Sequence, residues 1–227
     1  MLNTIGENTT RIADIGTDHG LAAIALALDG SFTRIIATEK NHKPLDKAVQ
    51  NAKLHKVAHL IDFRLGDGLT VLEPGEAEVI VINGLGGVLM TELLEACPQV
   101  AQTSRQIILQ PIQAAPQLRR YLLSHGYHIR EERLAVEKDH VYEIISTGYE
   151  PEWPTGFIAP HEMETGISIR QQPSDLAVPF LEKLLRHWQK KAGGLAKSDR
   201  CDTKEAARAQ EIRNGIEEEL KWHQQQR

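Results

Sequence analysis

Val79-Ile80-Val81-Ile82 is the segment that leaves this chain least freedom. Four successive β-branched apolar residues have no polar side to turn to water. A strand built from them is buried on both faces, as in the middle of a parallel sheet covered by helices. The surrounding sequence keeps a matching rhythm. Arg11 to Ile15, Arg34 to Thr38, Ile61 to Arg64, Glu78 to Ile82 and Gln106 to Leu109 read as strands. Leu21 to Leu28, Pro44 to Leu54, Val88 to Glu95 and Pro116 to Ser124 read as helices. Strand and helix in alternation predict a doubly wound α/β domain.

The rhythm breaks after Ser124. Tyr127 to Val136 and Val141 to Thr147 are extended, and only Glu137-Lys138-Asp139-His140 separates them. So short a connection cannot cross over a sheet, so the two strands are antiparallel. A parallel sheet finished by an antiparallel edge hairpin resembles the Rossmann-like class I methyltransferase arrangement. Pro151, Pro154, Pro160 and Pro173 then mark residues 151–174 as a linker. Beyond it, Asp175 to Lys191 places Leu176, Phe180, Leu181, Leu184, Leu185 and Trp188 on one helical face, and Lys204 to Gln224 does so with Ala209, Ile212, Ile216 and Leu220. Gly193-Gly194 is expected to form the turn between them. The organisation expected is a catalytic domain over 1–150, a linker over 151–174 and a helical hairpin over 175–227.

Composition excludes several alternatives. With 41% hydrophobic and 25% charged residues in 227, the chain is neither disordered nor collagen-like. No apolar run is long enough to span a bilayer, and Met1 to Thr10 lacks the features of a signal peptide, so a cytoplasmic location without membrane partners is expected. Cys97 and Cys201 are too few for a disulfide framework and have no CxxC spacing, so neither a metal nor thiol chemistry is expected. A net charge of -5 argues against holding nucleic acid by bulk positive charge. Lys and Arg outnumber Asp and Glu only from Asp175 onward, so any basic face belongs to the helical tail.

Chemistry begins at Asp14-Ile15-Gly16-Thr17-Asp18-His19-Gly20, where the first strand ends. Ligands of doubly wound sheets bind outside the carboxyl ends of the strands, so this turn lies where a cofactor would sit. Gly16 and Gly20 lack the middle glycine of the dinucleotide GxGxxG pattern, and Asp14 and Asp18 would repel a diphosphate. They suit a cation such as S-adenosylmethionine, which carries a sulfonium and an ammonium. Glu39, after the second strand, stands where an acidic side chain accepts from ribose hydroxyls. Asp67 in Gly66-Asp67-Gly68 can accept an adenine amine. The structural alternatives are Asp18 as a helix N-cap, Glu39 as a surface acid and Gly66 to Gly68 as a plain turn. After the fourth strand, Asn83-Gly84-Leu85-Gly86-Gly87 reads as a turn almost free of side chains. Either a planar base passes close to it there, or the glycines allow tight packing at a helix start.

These motifs together resemble the bacterial tRNA (adenine-22-N1)-methyltransferase family. The shared pattern is Ala13-Asp14-Ile15-Gly16-Thr17-Asp18-His19, Gly66-Asp67-Gly68-Leu69, Gly84-Leu85-Gly86-Gly87, Ile108-Leu109-Gln110-Pro111 and Val141-Tyr142-Glu143, and it runs from about Arg11 to Thr147. The resemblance implies an S-adenosylmethionine cofactor and methylation of adenine N1 in the tRNA D-arm, with the helical hairpin helping to hold the tRNA. It places the cofactor among Asp14, Gly16, Thr17, Asp18, His19, Glu39, Lys40, Gly66, Asp67, Gly68, Asn83 and Gly84. It places the substrate among Gly86, Gly87, Gln110, Pro111, Arg119 and Tyr142. Members of the family usually begin with a helix before the first strand, where this sequence has only Met1 to Thr10, so the expectation is either a missing wall of the cofactor pocket or a truncated start.

Adenine N1 has its own lone pair, so alignment with the methyl donor is the expected source of catalysis. Asp18 is the expected catalytic residue, its carboxylate stabilising the charge that develops on the ring. Arg119, Arg120, Lys190, Lys191 and Lys197 are the candidate phosphate contacts. The competing readings are a methyltransferase acting on a small molecule or protein, and a noncatalytic RNA-binding relative; a nicotinamide dehydrogenase is disfavoured. The oligomeric state is left open.

Overall fold

Strand β4 (Val79–Gly86) lies at the middle of the sheet order β3-β2-β1-β4-β5-β7-β6, and its first four residues are all buried. The computed structural model describes residues 5, 9–138, 140–154, 156–196 and 202–226. The other strands are β1 (Arg11–Ile15), β2 (Arg34–Glu39), β3 (Ile61–Leu65), β5 (Gln106–Gln113), β6 (Tyr127–Glu137) and β7 (His140–Tyr149). The first five are mutually parallel and β7 runs antiparallel to β5, as the short hairpin connection requires. Ile12 pairs with Ile35 on one side and Val79 on the other, which places the strand-order reversal between β1 and β4. The helices are α1 (Leu21–Asp29), α2 (His42–Leu54), α3 (Gly87–Ala96), α4 (Pro98–Thr103) and α5 (Ala115–Ser124), followed by α6 (Glu162–Thr165), α7 (Ser174–Leu195) and α8 (Thr203–Gln225).

The described residues fall into two compact units, Met1–Arg130 with Ile144–Trp153, and Glu131–Glu143 with Pro154–Arg227. In the first, Ile12, Ile15, Ile35, Ile36, Ile80, Ile82 and Ile107 to Leu109 meet Leu26, Met90, Leu94, Leu118 and Leu122 from the helices, all fully buried. Burial of each such side chain contributes about 1.5–3 kcal/mol. In the second, α7 and α8 close a core of Phe180, Leu181, Trp188, Ile212, Ile216 and Leu220, with Leu134 and Val141 from the hairpin tip packed against it. Arg170 grips the buried Glu219 through two bonds of 2.8 and 3.0 Å.

Three segments differ from expectation. β4 does not turn at Asn83 but continues to Gly86, with its register against β5 shifting between Asn83, Leu85 and Gly86. Gly193-Gly194 lies inside α7 rather than between the helices, because the buried Ala192 and half-buried Leu195 hold that last stretch on the core. Residues 151–174 are not a bare loop. They carry α6 and a single 3-10 turn at Ile169–Gln171, and Gln172 donates to Glu132 O at 2.7 Å while its Oε1 accepts the Leu134 N–H at 2.8 Å. Lys197 and Cys201 lie outside the described residues.

Candidate active site

The turn after β1 is built from main-chain bonds to β2. Gly16 N–H and Thr17 N–H both donate to Thr38 O, at 3.0 and 2.9 Å. Asn51 Nδ2 on α2 donates to His19 O at 2.8 Å, and Gly20, at φ 78°, leaves no room for a side chain because a Cβ there would lie 3.0 Å from that of Ala48. Asn51 and Ala48 escaped the sequence reading. The paired small residues Gly20 and Ala48 were the available signal for that close helix contact.

Asp14, expected among the ligand-facing carboxylates, points inward. It is 2% exposed, accepts the Thr17 hydroxyl at 2.6 Å and is hydrogen-bonded by the Ala23 main chain. Burial pushes its carboxyl up from the ordinary 3.8 to about 6, against the opposing pull of those two bonds. Besides Asp67, the carboxylates left as candidates to face a ligand at this end of the sheet are Asp18 and Glu39.

Neither of these is accounted for by its structural alternative. Helix α1 is capped by Gly20 without any side-chain bond, so Asp18 is not its N-cap. Asp18 stands exposed at φ 47°, its carboxylate 3.4 Å from His19 Nε2. Left-handed backbone is tolerated by Asp and Asn better than by other side chains. Glu39, the last residue of β2, is buried rather than a surface acid. Its Oε1 accepts the Asn41 N–H at 3.0 Å and Nδ2 at 3.4 Å, and its Oε2 accepts the Asp18 N–H at 3.3 Å. Each carboxylate oxygen has two acceptor positions, so Oε2 retains capacity for a hydroxyl donor. A pre-aimed acceptor beside an exposed carboxylate fits a cationic, ribose-bearing cofactor such as S-adenosylmethionine.

Gly66 and Gly68 are required by packing. A Cβ on Gly66 would come within 2.1 Å of Val71 Cγ1, and one on Gly68 within 2.3 Å of Leu93 Cδ2. Between them Asp67 is exposed and paired with Lys40 at 2.6 Å, which holds the Lys40 ammonium above its ordinary range.

At the end of β4, Gly84 N–H donates to Gln110 Oε1 at 2.9 Å, while the buried Gln110 Nε2 has no acceptor among the described residues. Leaving such a donor unpaired costs about 1–3 kcal/mol. Gly84 itself, at φ 72°, has no atom within 4 Å of where a Cβ would sit. Gly86 is close to Gln113, and Gly87 packs on Ala114 O, which a Cβ would approach to 2.4 Å; tight packing accounts for Gly87. Gly16 approaches Leu85, whose Cδ1 would lie 3.7 Å from its Cβ, so the β1 and β4 ends adjoin. Asn83 pairs with Gln110 and Leu85 with the buried Pro111.

Arg119 is 1% exposed within α5 and cannot present its guanidinium to a phosphate, whereas Arg120 is exposed. Tyr142 belongs to the second unit, stacked with His140 at 6.4 Å between ring centroids. Cys97 is buried, which pushes its thiol pKa up and away from reactivity. Among the described residues no group of three or more His, Cys, Asp or Glu is placed to hold a metal ion, and no helix is long and apolar enough to cross a membrane.

Two relatives match this chain. The tRNA (adenine(22)-N(1))-methyltransferase of Bacillus subtilis is 32% identical over 147 residues, covering 63% of this chain and 62% of that protein. The crystal structure of a Streptococcus pneumoniae candidate tRNA (m1A22) methyltransferase matches 96% of both chains, with 25% identity and a TM-score of 0.80. Its complex with S-adenosyl-L-methionine matches 93% of this chain and 92% of that one, with 27% identity and a TM-score of 0.74. The methyltransferase domain family matches residues 1–145, which include every strand end around the switch point between β1 and β4, and the chain belongs to that family.

Proposed function

We propose that this protein is an S-adenosylmethionine-dependent methyltransferase that modifies N1 of adenine 22 in the D-arm of tRNA. The likeness to the Streptococcus pneumoniae candidate tRNA (m1A22) methyltransferase carries the substrate reading, because it covers 96% of the chain and so includes the helical tail as well as the methyltransferase domain. S-adenosylmethionine supplies an electrophilic methyl group on a positively charged sulfur. Glu39 accepts from the ribose hydroxyls, and the Gly16 turn lets the cofactor lie against the main chain. Asp18 places a negative charge beside the ring that becomes cationic as N1 gains its substituent. N1 needs no base to remove a proton, so alignment by the ends of β1, β4 and β5 is the main contribution. Catalysis is assigned to residues 1–150 and phosphate contact to the exposed Lys190 and Lys191 on α7. A cytoplasmic location suits this substrate.

The test is methyl transfer from labelled cofactor to unmodified tRNA, followed by nucleoside analysis. The expected product is 1-methyladenosine at position 22, with no label in a tRNA carrying guanine there. Label in a metabolite or protein fraction but not in tRNA overturns the substrate. Absence of cofactor binding by calorimetry overturns the activity.

A further inference from the structure

We infer that Gln110 reads the Hoogsteen edge of the target adenine and so both holds the ring and selects it over guanine; the inference rests on the tRNA reading above. Gly84 N–H can only donate, so its 2.9 Å bond fixes which end of the Gln110 amide is oxygen. The amide nitrogen is thereby turned the other way, buried and without an acceptor among the described residues. Buried polar groups are almost always paired, and an exception opposite Asn83, where β4 runs into its glycines, points to an acceptor that arrives with a ligand. The left-handed Gly84 beside Gln110 is open, with no atom within 4 Å of where a Cβ would sit, so a flat group can lie against this turn.

Adenine supplies the matching pair. A side-chain amide makes two bonds to it, with Nε2–H donating to N7 and the amide oxygen accepting from the N6 amine. Gln110 Oε1 uses one of its two acceptor positions on Gly84 and keeps the other. The contact occupies the Hoogsteen edge and leaves N1, on the Watson–Crick edge, clear for the methyl group. Guanine presents O6 in place of the amine, so oxygen would face oxygen and one bond would be lost.

The experiment compares wild type and Gln110→Glu on tRNA carrying adenosine or 7-deazaadenosine at the target position. Glutamate keeps an oxygen for Gly84 N–H but has no donor for N7. Wild type is expected to lose about 10- to 100-fold in kcat/KM on the 7-deaza substrate. Gln110→Glu is expected to lose a similar factor on adenosine and little more on 7-deazaadenosine, with cofactor affinity by calorimetry unchanged. Equal wild-type rates on the two substrates overturn the assignment, whatever the variant does. Independent, multiplying losses also overturn it, and both outcomes leave the methyltransferase reading in place. A wild type that labels neither tRNA overturns that reading itself, and this inference with it.

Discussion

The main-chain N–H of Asp18 lies 3.3 Å from Glu39 Oε2, so one buried carboxylate ties the turn after the first strand to the end of the second. Glu39 thereby shapes this turn and, in the proposed function, also presents an acceptor to the cofactor. Glu39→Ala removes both functions. Calorimetric titration with S-adenosylmethionine is expected to show affinity at least about 10-fold weaker, the loss of one or more charged hydrogen bonds. Affinity equal to wild type would leave Glu39 a purely internal brace.

Asp18 is separable from the fold because asparagine tolerates the same left-handed backbone. Asp18→Asn is expected to retain cofactor affinity within a few-fold while kcat on tRNA falls by about 10- to 100-fold, in keeping with removal of a charge aimed at the transition state. Cofactor titration and single-turnover methylation measured on the same preparation check this. Unchanged turnover removes Asp18 from catalysis.

Asp14 makes stability depend on pH in an unusual direction. Its folded-state carboxyl titrates at about 6 against an ordinary 3.8, so between those values the native protein holds a proton that the unfolded chain has released. The stability it contributes is present below the lower value and is lost as pH rises to the upper one. Asp14→Asn has no proton to lose. Urea unfolding near pH 4 and near pH 7 is expected to show the variant gaining on the order of 2–3 kcal/mol relative to wild type across that interval. A constant difference between the two proteins would mean that Asp14 titrates normally.

Lys190 and Lys191 are exposed on α7, and Lys191 Nζ lies 4.4 Å from the centre of the Trp188 ring. If both meet phosphates, replacing the pair by alanine should weaken tRNA binding and flatten the plot of log affinity against log salt by about 0.7–0.9 per lysine. Fluorescence binding isotherms over a salt series measure that slope. An unaltered slope excludes both as phosphate contacts.

Much of the fold was legible because periodicity and burial are local properties. Arg11 to Ile15 and Val79 to Ile82 carry their strand identity in the residues themselves, and the apolar faces of α7 and α8 follow directly from helical spacing. What was not legible depends on neighbours remote in sequence. Glycines signalled close approach without naming the partner: Gly68 avoids Leu93, and Gly87 avoids Ala114. Asp14 and Arg119 carry charge and were read as outward-facing, yet one braces the Thr17 turn and the other is enclosed within its helix packing. No pattern of residue types shows that Gly84 turns the Gln110 amide.

The second unit is assembled from two separate lengths of chain, Glu131–Glu143 and Pro154–Arg227. It therefore has no single cut point. Severing the polypeptide just after Tyr149 would deprive the hairpin tip of Gln172, which binds Leu134 N–H and Glu132 O, and would strip Leu134 and Val141 of their cover. The remnant would end in a bare, greasy two-stranded ribbon, prone to stick to its own kind rather than to persist as a tidy shortened enzyme.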